Sequence, residues 1–252
     1  MGSGTSLGVP VIGCDCGVCS SDDPRNKRTR ASICVQTGSG KNILVDTATE
    51  LRLQAIRSRI SSVEMILFTH YHADHIHGLD DVRKFNQEAQ DSILCYADGP
   101  TGERLRHVFF YAFDRKFSWG AIPHITLEEM PNELNLDDVR ITPLAVMHGG
   151  ARILGFRFND AAYLTDCSAI PPESMEKLGG LKLLIIDALR HNPHPTHFNV
   201  EGALAVIKEL APERALFTHI SHDLDHEQTE ALLPPGVGLS YDGQVIEMGR
   251  DD

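Results

Sequence analysis

Apolar residues in this chain fall into short runs broken by polar turns, and the spacing inside the runs separates two kinds of element. Compact β-branched runs predict strands over 31–37, 42–45, 65–69, 93–97, 139–147, 153–158, 162–165, 183–187, 215–218, 237–240 and 245–248. Apolar positions at helical spacing predict helices over 50–58, 78–88, 99–108, 172–178, 200–210 and 227–232. Short strands interleaved with covering helices call for an α/β fold of two packed sheets with helices outside. Segment 109–132, rich in aromatic residues and proline, reads as a long loop at the mouth of a site. With no separating linker and no internal repeat, 1–252 is expected to form one domain.

Composition narrows the class. The chain has 42% hydrophobic and 23% charged residues, which excludes disordered and fibrous proteins. A net charge of −12 repels polyanions, so a nucleic-acid partner is disfavoured, and the basic cluster at 25–30 reads as a solvated loop. No stretch reaches the apolar length of a membrane span and the N-terminus opens on Gly, Ser and Thr, so no membrane partner and a cytoplasmic location are expected. Three of the six cysteines crowd into 14–19, which favours metal binding over disulfides, while Cys34, Cys95 and Cys167 lie in or beside strand runs and read as core.

The densest chemistry follows the strand run at 65–69, where His70, His72, Asp74 and His75 stand in six positions. Imidazole and carboxylate suit zinc, manganese or iron. Alternation lets His70 and His72 reach one ion from an extended turn, leaving Asp74 and His75 to face a second.

The run His70-Tyr71-His72-Ala73-Asp74-His75 resembles the H-x-H-x-D-H signature of the metallo-β-lactamase superfamily, and further pieces in the family's order extend the resemblance over nearly the whole chain. It implies the αββα sandwich of two mixed sheets with helices on the outer faces. It also implies His148 as the third ligand of the first metal, Asp166 as the carboxylate bridging both, His219 as the last ligand of the second, and Asp46 as a supporting group behind them. Two such ions hold and acidify a shared water, which Asp74 orients for attack in the family. Taken alone, His148, Asp166 and His219 would each read as a capping or hydrogen-bonding residue at a strand end, and Asp46 as a turn-forming aspartate.

The loop 13–19 offers Cys14, Cys16 and Cys19, one short of the four ligands of a structural zinc. His222, three residues beyond His219, is the candidate fourth. The opening Gly2-Ser3-Gly4-Thr5-Ser6 followed by this cysteine loop is similar to the phosphodiesterase branch of the superfamily, which holds phosphoribosyl cyclic phosphate phosphodiesterases and, more distantly, ribonuclease Z. Relatives place an apolar strand before that turn, whereas here the chain opens on it. Amides around Thr5 and Ser6 are either an anion nest or a plain structural turn. Breaking a P–O bond also calls for a proton donor. Among His191, His194 and His197, the last best matches the branch's general-acid histidine.

The expected function is therefore cleavage of a small phosphodiester, a cyclic phosphate on ribose or a nucleotide-like ester, with Asp74 and His197 catalytic. Two divalent ions, one structural zinc and a homodimer are implied by the resemblance. The alternatives are a thioester or lactone hydrolase of the glyoxalase II type, a tRNA 3′-processing nuclease, for which the gripping arm is missing, and a non-catalytic metal-binding scaffold.

Overall fold

The computed structural model describes residues 1–89, 92–114 and 121–249. Strands β1 (Ile33–Gln36), β2 (Asn42–Val45), β3 (Met65–Leu67), β4 (Ile93–Ala97) and β5 (Ile125–Glu129) form one sheet in that order, antiparallel between β1 and β2 and parallel thereafter. The second sheet also runs in chain order: β6 (Leu134–Leu136), β7 (Val139–His148), β8 (Ala151–Phe158), β9 (Ala161–Leu164), β10 (Leu183–Asp187), β11 (Arg214–Thr218) and β12 (Val237–Leu239). It is antiparallel from β6 to β9 and parallel from β9 to β12.

Strands buried on both faces read as continuous apolar runs, and the alternation of their side chains explains why. Ile43, Val45, Met65 and Leu67 point between the sheets to meet Ile141, Phe156, Phe158 and Tyr163. Their neighbours Leu44 and Ile66 turn outward to Leu51 and Ala55 of α1 (Leu51–Ser58) and, past the single turn α2 (Ala73–Ile76) and α3 (Arg83–Ala89), to Leu105 of α4 (Gly99–Val108). Two short helices follow, α5 (Phe110–Phe113) and α6 (Pro172–Met175). On the far side Leu184, Ile186 and Phe217 face Val200, Ala203 and Ile207 of α7 (Val200–Leu210), and α8 (His226–Glu230) closes the series. The architecture is the expected αββα sandwich.

The differences lie at edges and short turns. Strand β5 falls inside the segment expected to be a long loop; among the described residues it is an edge strand that pairs only with β4, and it exposes Glu128 and Glu129, so its sequence carries no full apolar run. Positions 115–120 of that segment lie outside the described residues. The run 245–248 forms no strand, since β12 is the edge of its sheet and Val245 is left 83% exposed. Within 78–88 a 3-10 turn over Leu79–Val82 precedes α3, and within 172–178 another over Glu176–Leu178 follows α6. Cys95 and Cys167 are buried and Cys34 is half-buried, all three as free thiols.

Candidate metal centre

The histidines and aspartates singled out in the sequence sit where strands end. His70 and His72 follow β3, Asp74 and His75 lie in α2, His148 closes β7, Asp166 follows β9 and His219 follows β11. The backbone turns sharply to aim them: φ is 62° at Asp46, 53° at Asp166 and 58° at His219. A non-glycine residue holds that left-handed conformation at a cost of about 1–3 kcal/mol, which surrounding structure must offset.

Ligand atoms of His70, His72, His148 and Asp166 lie within 4.8 Å of one another, and so do those of Asp74, His75 and His219. Asp166 joins the two groups. Its Oδ2 is 3.0 Å from His75 Nε2, while Oδ1 is 3.3 Å from His219 Nε2 and 4.0 Å from His70 Nε2. Asp74 Oδ2 stands 3.2 Å from His75 Nε2 and 3.7 Å from His219 Nε2.

Buried polar atoms without hydrogen bonds test whether cations fit here. His70 Nε2, Asp74 Oδ2, His75 Nε2 and His219 Nε2 are all buried and make no hydrogen bond. Each such atom costs about 1–3 kcal/mol, so four converging on one space fit a place for divalent metal, which takes nitrogen and carboxylate donors. The opposite ring edges are fixed. His148 Nδ1 donates to the carbonyl of Thr196 at 2.9 Å, and His75 Nδ1 donates to Asp46 Oδ2 at 2.7 Å. The Thr69 hydroxyl donates to Asp46 Oδ2 at 2.7 Å and is thereby able to accept from His70 Nδ1 at 3.0 Å. Asp46 thus aligns two rings and leaves both Nε2 lone pairs facing inward.

The electrostatics favour positive charge at this point. Burial opposes protonation of His75, yet Asp166, Asp46 and Asp74 together hold it well above the ordinary imidazole value. Burial likewise opposes charge on His219, but Asp166 and Asp74 raise it to about 9. Asp166 is kept well below the carboxylate range, against its burial, by His219 and His75. His70, pressed by burial and by His75, is pushed well down.

A further imidazole stands beside the cluster. The His197 ring stacks on His219 with centroids 4.7 Å apart and lies 4.7 Å from that of His148. Its Nδ1 pairs with Asp187 Oδ2 at 2.7 Å, an oxygen that also accepts the Cys167 amide at 2.8 Å. Burial, then the charge on His219, lowers His197 to about 4, and burial pushes Asp187 up. The loop carrying His197 is tied down by Phe198 N–H to Cys167 O, Leu189 N–H to Phe198 O and the Asn199 cap on α7. Gly149, at φ 59° on the β7–β8 turn, packs on the same loop, and a Cβ there would lie 2.8 Å from Thr196 Cγ2. Asp187 was not singled out in the sequence. Its signal was available, since it ends an apolar strand as Asp46 and Asp166 follow theirs. His194 is next to His197, with ring centroids 5.1 Å apart. His191 is elsewhere, lining a surface cavity of about 410 Å³ with Cys16, Gly17 and His222.

That cavity borders the second donor group. Sγ atoms of Cys14, Cys16 and Cys19 stand 3.3, 3.5 and 3.4 Å from His222 Nδ1. A tetrahedral zinc with metal–sulfur and metal–nitrogen bonds of about 2.3 and 2.0 Å separates sulfur from nitrogen by about 3.5 Å, so the four residues fit that ion. The Cys19 amide on its sulfur, followed by the neighbouring thiols, lowers Cys16 to about 6, whereas burial and the same thiols raise Cys19 to about 11.

One expectation is corrected. The cluster at 25–30 is not a solvated loop: Arg28 is 1% exposed and donates to the carbonyls of Ser221, Leu224 and Arg25 and to Asn26 Oδ1, while Arg30 pairs with Glu50 and Arg25 with Asp23. An arginine can be buried when its forked donors are all met by oxygen acceptors, which charge counting does not reveal. Of the two readings of the opening turn, its hydrogen bonds support the plain structural one. The amides of Gly2, Ser3, Gly4, Thr5 and Gly8 are committed to Ser32 O, Asp242 Oδ1, Thr29 O, Ile220 O and Thr5 O.

Residues 41–220 match the family model described as the beta-lactamase superfamily domain. A new diphosphatase from the PhnP family has a crystal structure that superposes with a TM-score of 0.90 at 45% identity, covering 96% of this chain and 93% of that one. Human tRNase Z, short form, superposes with a TM-score of 0.72 at 16% identity over 99% of this chain and 98% of its own, a likeness of fold. An octanoyltransferase of Porphyromonas gingivalis is 36% identical over 96% of this chain, which spans 50% of that relative's length. Among the described residues no helix is long and apolar enough to cross a membrane.

Proposed function

This chain belongs to the β-lactamase superfamily and is a hydrolase related to PhnP-family diphosphatases; from that premise we propose that it cleaves a small phosphodiester, a cyclic phosphate on ribose or a nucleotide-like ester. The observation that carries the reading is the Asp187–His197 pair, joined at 2.7 Å and stacked on the ligand cluster. Alkoxide is a poor leaving group and departs faster when a positioned acid protonates it, whereas a thiolate, with a thiol pKa of about 8.5, leaves without that help. The pair therefore favours phosphodiesters over the thioesters of the glyoxalase II alternative.

His70, His72 and His148 would hold one divalent ion, Asp74, His75 and His219 a second, with Asp166 between them. Bound there, the pair supplies Lewis acidity and lowers the pKa of water. The chain's own residues do the rest. Asp74 Oδ2, buried and without a hydrogen bond, orients the attacking water. His197 is low in its resting state, and a docked phosphodiester anion favours its imidazolium form, with Asp187 Oδ2 holding the Nδ1 proton while the far nitrogen protonates the departing oxygen. Cys14, Cys16, Cys19 and His222 would hold a structural zinc apart from this chemistry.

The transferase reading suggested by the octanoyltransferase name belongs to a chain of which half is unmatched here. Purified protein is expected to hydrolyse an aryl phosphodiester such as bis(p-nitrophenyl) phosphate, to lose that activity to a chelator and to regain it with zinc, manganese or iron. Turnover of a thioester ahead of every phosphodiester offered would sink the reading.

A further inference from the structure

Three imidazoles of the inner cluster are gripped on the edge that faces away from it: His70 by the Thr69 hydroxyl, His75 by Asp46 and His148 by the Thr196 carbonyl. His72 is exposed, so water can take its outer nitrogen. His219 differs. It is 1% exposed, and its Nδ1 is buried without a hydrogen bond, as its Nε2 is. A neutral histidine that gives Nε2 to an ion carries its proton on Nδ1, and a buried N–H needs an acceptor.

Asp187 supplies one. Its Oδ1 is buried and likewise without a hydrogen bond, while Oδ2 of the same carboxylate receives His197 Nδ1 at 2.7 Å and the Cys167 amide at 2.8 Å. The fold brings this carboxylate to His219 by two routes. Asp187 ends β10 in register with Thr218, the residue before His219, and the Ala188 amide donates to Thr218 O at 3.1 Å. His197, already held by Asp187, stacks on the His219 ring at an interplanar angle of 11°. Charge agrees with position: burial pushes Asp187 up, and His219 is the foremost influence pulling it back. Among the described residues the other buried polar atoms without a partner outside the cluster are Gln54 Oε1, Tyr163 Oη and His226 Nδ1, which lie on α1, β9 and α8.

We propose that Asp187 is a positioning residue shared by both halves of the site: Oδ2 holds the proton donor His197, and Oδ1 receives the Nδ1 proton of His219, directly or through one buried water, so that this ring presents Nε2 to the second ion. The assignment rests on the metal-centre reading above. It adds that one carboxylate ties a ligand to the proton donor, so that an ion can be weakened through Asp187 while His197 stays held.

Proton NMR of the protein with cobalt(II) in the inner cluster and zinc in the cysteine loop tests it. A paramagnetic ion shifts the ring protons of its histidine ligands far from their ordinary range. An Nδ1 proton appears among them, and is lost in heavy water, where a hydrogen bond slows its exchange. The wild type is expected to give four such signals, from His70, His75, His148 and His219. In Asp187→Asn the amide oxygen goes to the side where His197 Nδ1 and the Cys167 amide converge, which turns the NH2 toward His219 and leaves His197 held. That variant is expected to lose one of the four signals and, in competition with a chelator, to bind one cobalt ion about tenfold to a hundredfold more weakly. His197→Ala, which removes the stacked ring and keeps the carboxylate, should leave both affinities within about twofold of the wild type. Three signals in the wild type, or all four kept in Asp187→Asn, overturns the assignment, and so does weakened cobalt binding in His197→Ala. Should Asp187→Asn fail to fold, the wild-type count decides. Uptake of fewer than two cobalt ions by the inner cluster overturns the metal-centre reading itself, and the assignment falls with it.

Discussion

His219 and His222 lie three residues apart on one loop, yet they belong to donor clusters built on opposite principles. The inner cluster draws its donors from the ends of several strands, and its rings are gripped from behind: His75 by Asp46, His70 by Thr69, His148 by the Thr196 carbonyl. Its geometry is a property of the sandwich. In the outer cluster the three sulfurs meet His222, one another's neighbourhood and the amides of Val11 and Cys19, within a stretch that forms no regular element. Where chemistry needs atoms fixed to a fraction of an ångström the fold supplies the order in advance, and where an ion is a cross-link the loop is free to wrap around it.

The largest expected effect tests the inner half of that contrast. If the ligand rings are oriented independently of the proton donor, His197→Ala lowers kcat on an aryl phosphodiester with a poor leaving group by about 10²- to 10⁴-fold while the metal content per chain stays at the wild-type level. Parallel steady-state kinetics and elemental analysis read both quantities. Loss of metal together with turnover would mean instead that His197 is a ligand, a role its closeness to Asp166 and His219 makes a fair competitor.

A smaller effect should reach both clusters at once, because Arg28 stands behind the loop that joins them. Its guanidinium donates to Ser221 O and Leu224 O, on either side of His222. Arg28→Met fills similar volume but removes the guanidinium donors, leaving Ser221 O only the long 3.5 Å bond from Leu224 N–H, so a loss of about 2–4 kcal/mol in urea-unfolding stability is expected, with weaker retention of metal at both clusters. Loss confined to one cluster would show that the loop does not couple them.

Much of this contrast was legible before the fold was known, and the boundary is physical. The H-x-H-x-D-H run declares itself because four donors in six positions have no structural use at the end of a buried strand. His148, Asp166 and His219 are single residues, and only their order along the chain, read by resemblance, marked them out. Asp187 and Arg28 escaped because their roles depend on what faces them: a strand-terminal aspartate becomes a partner only once Phe198 N–H has tied the His197 loop to Cys167 O, and a basic residue becomes buried only when carbonyls from a distant loop close over it. Strand β5 escaped for the same kind of reason, as an edge strand writes half its alternation in polar residues. Pattern reveals what a segment does alone, and tertiary pairing decides the rest.

The smallest expected effect on catalysis bears most directly on the outer cluster. Cys16→Ser removes a thiol lowered to about 6 chiefly by the Cys19 amide, and so should abolish binding of the zinc proposed for this loop. With Arg28 still pinning Ser221 and Leu224, His219 keeps its place, so turnover should change by less than about tenfold, a difference of 1.4 kcal/mol or less. The loss should appear in metal analysis as roughly one fewer ion per chain and in limited proteolysis as faster cutting within 13–19, where the fold contributes few contacts of its own. A fall in turnover of a hundredfold or more, with the inner metals lost as well, would mean that the cysteine loop helps to build the inner cluster, and the two regions would then be parts of a single site.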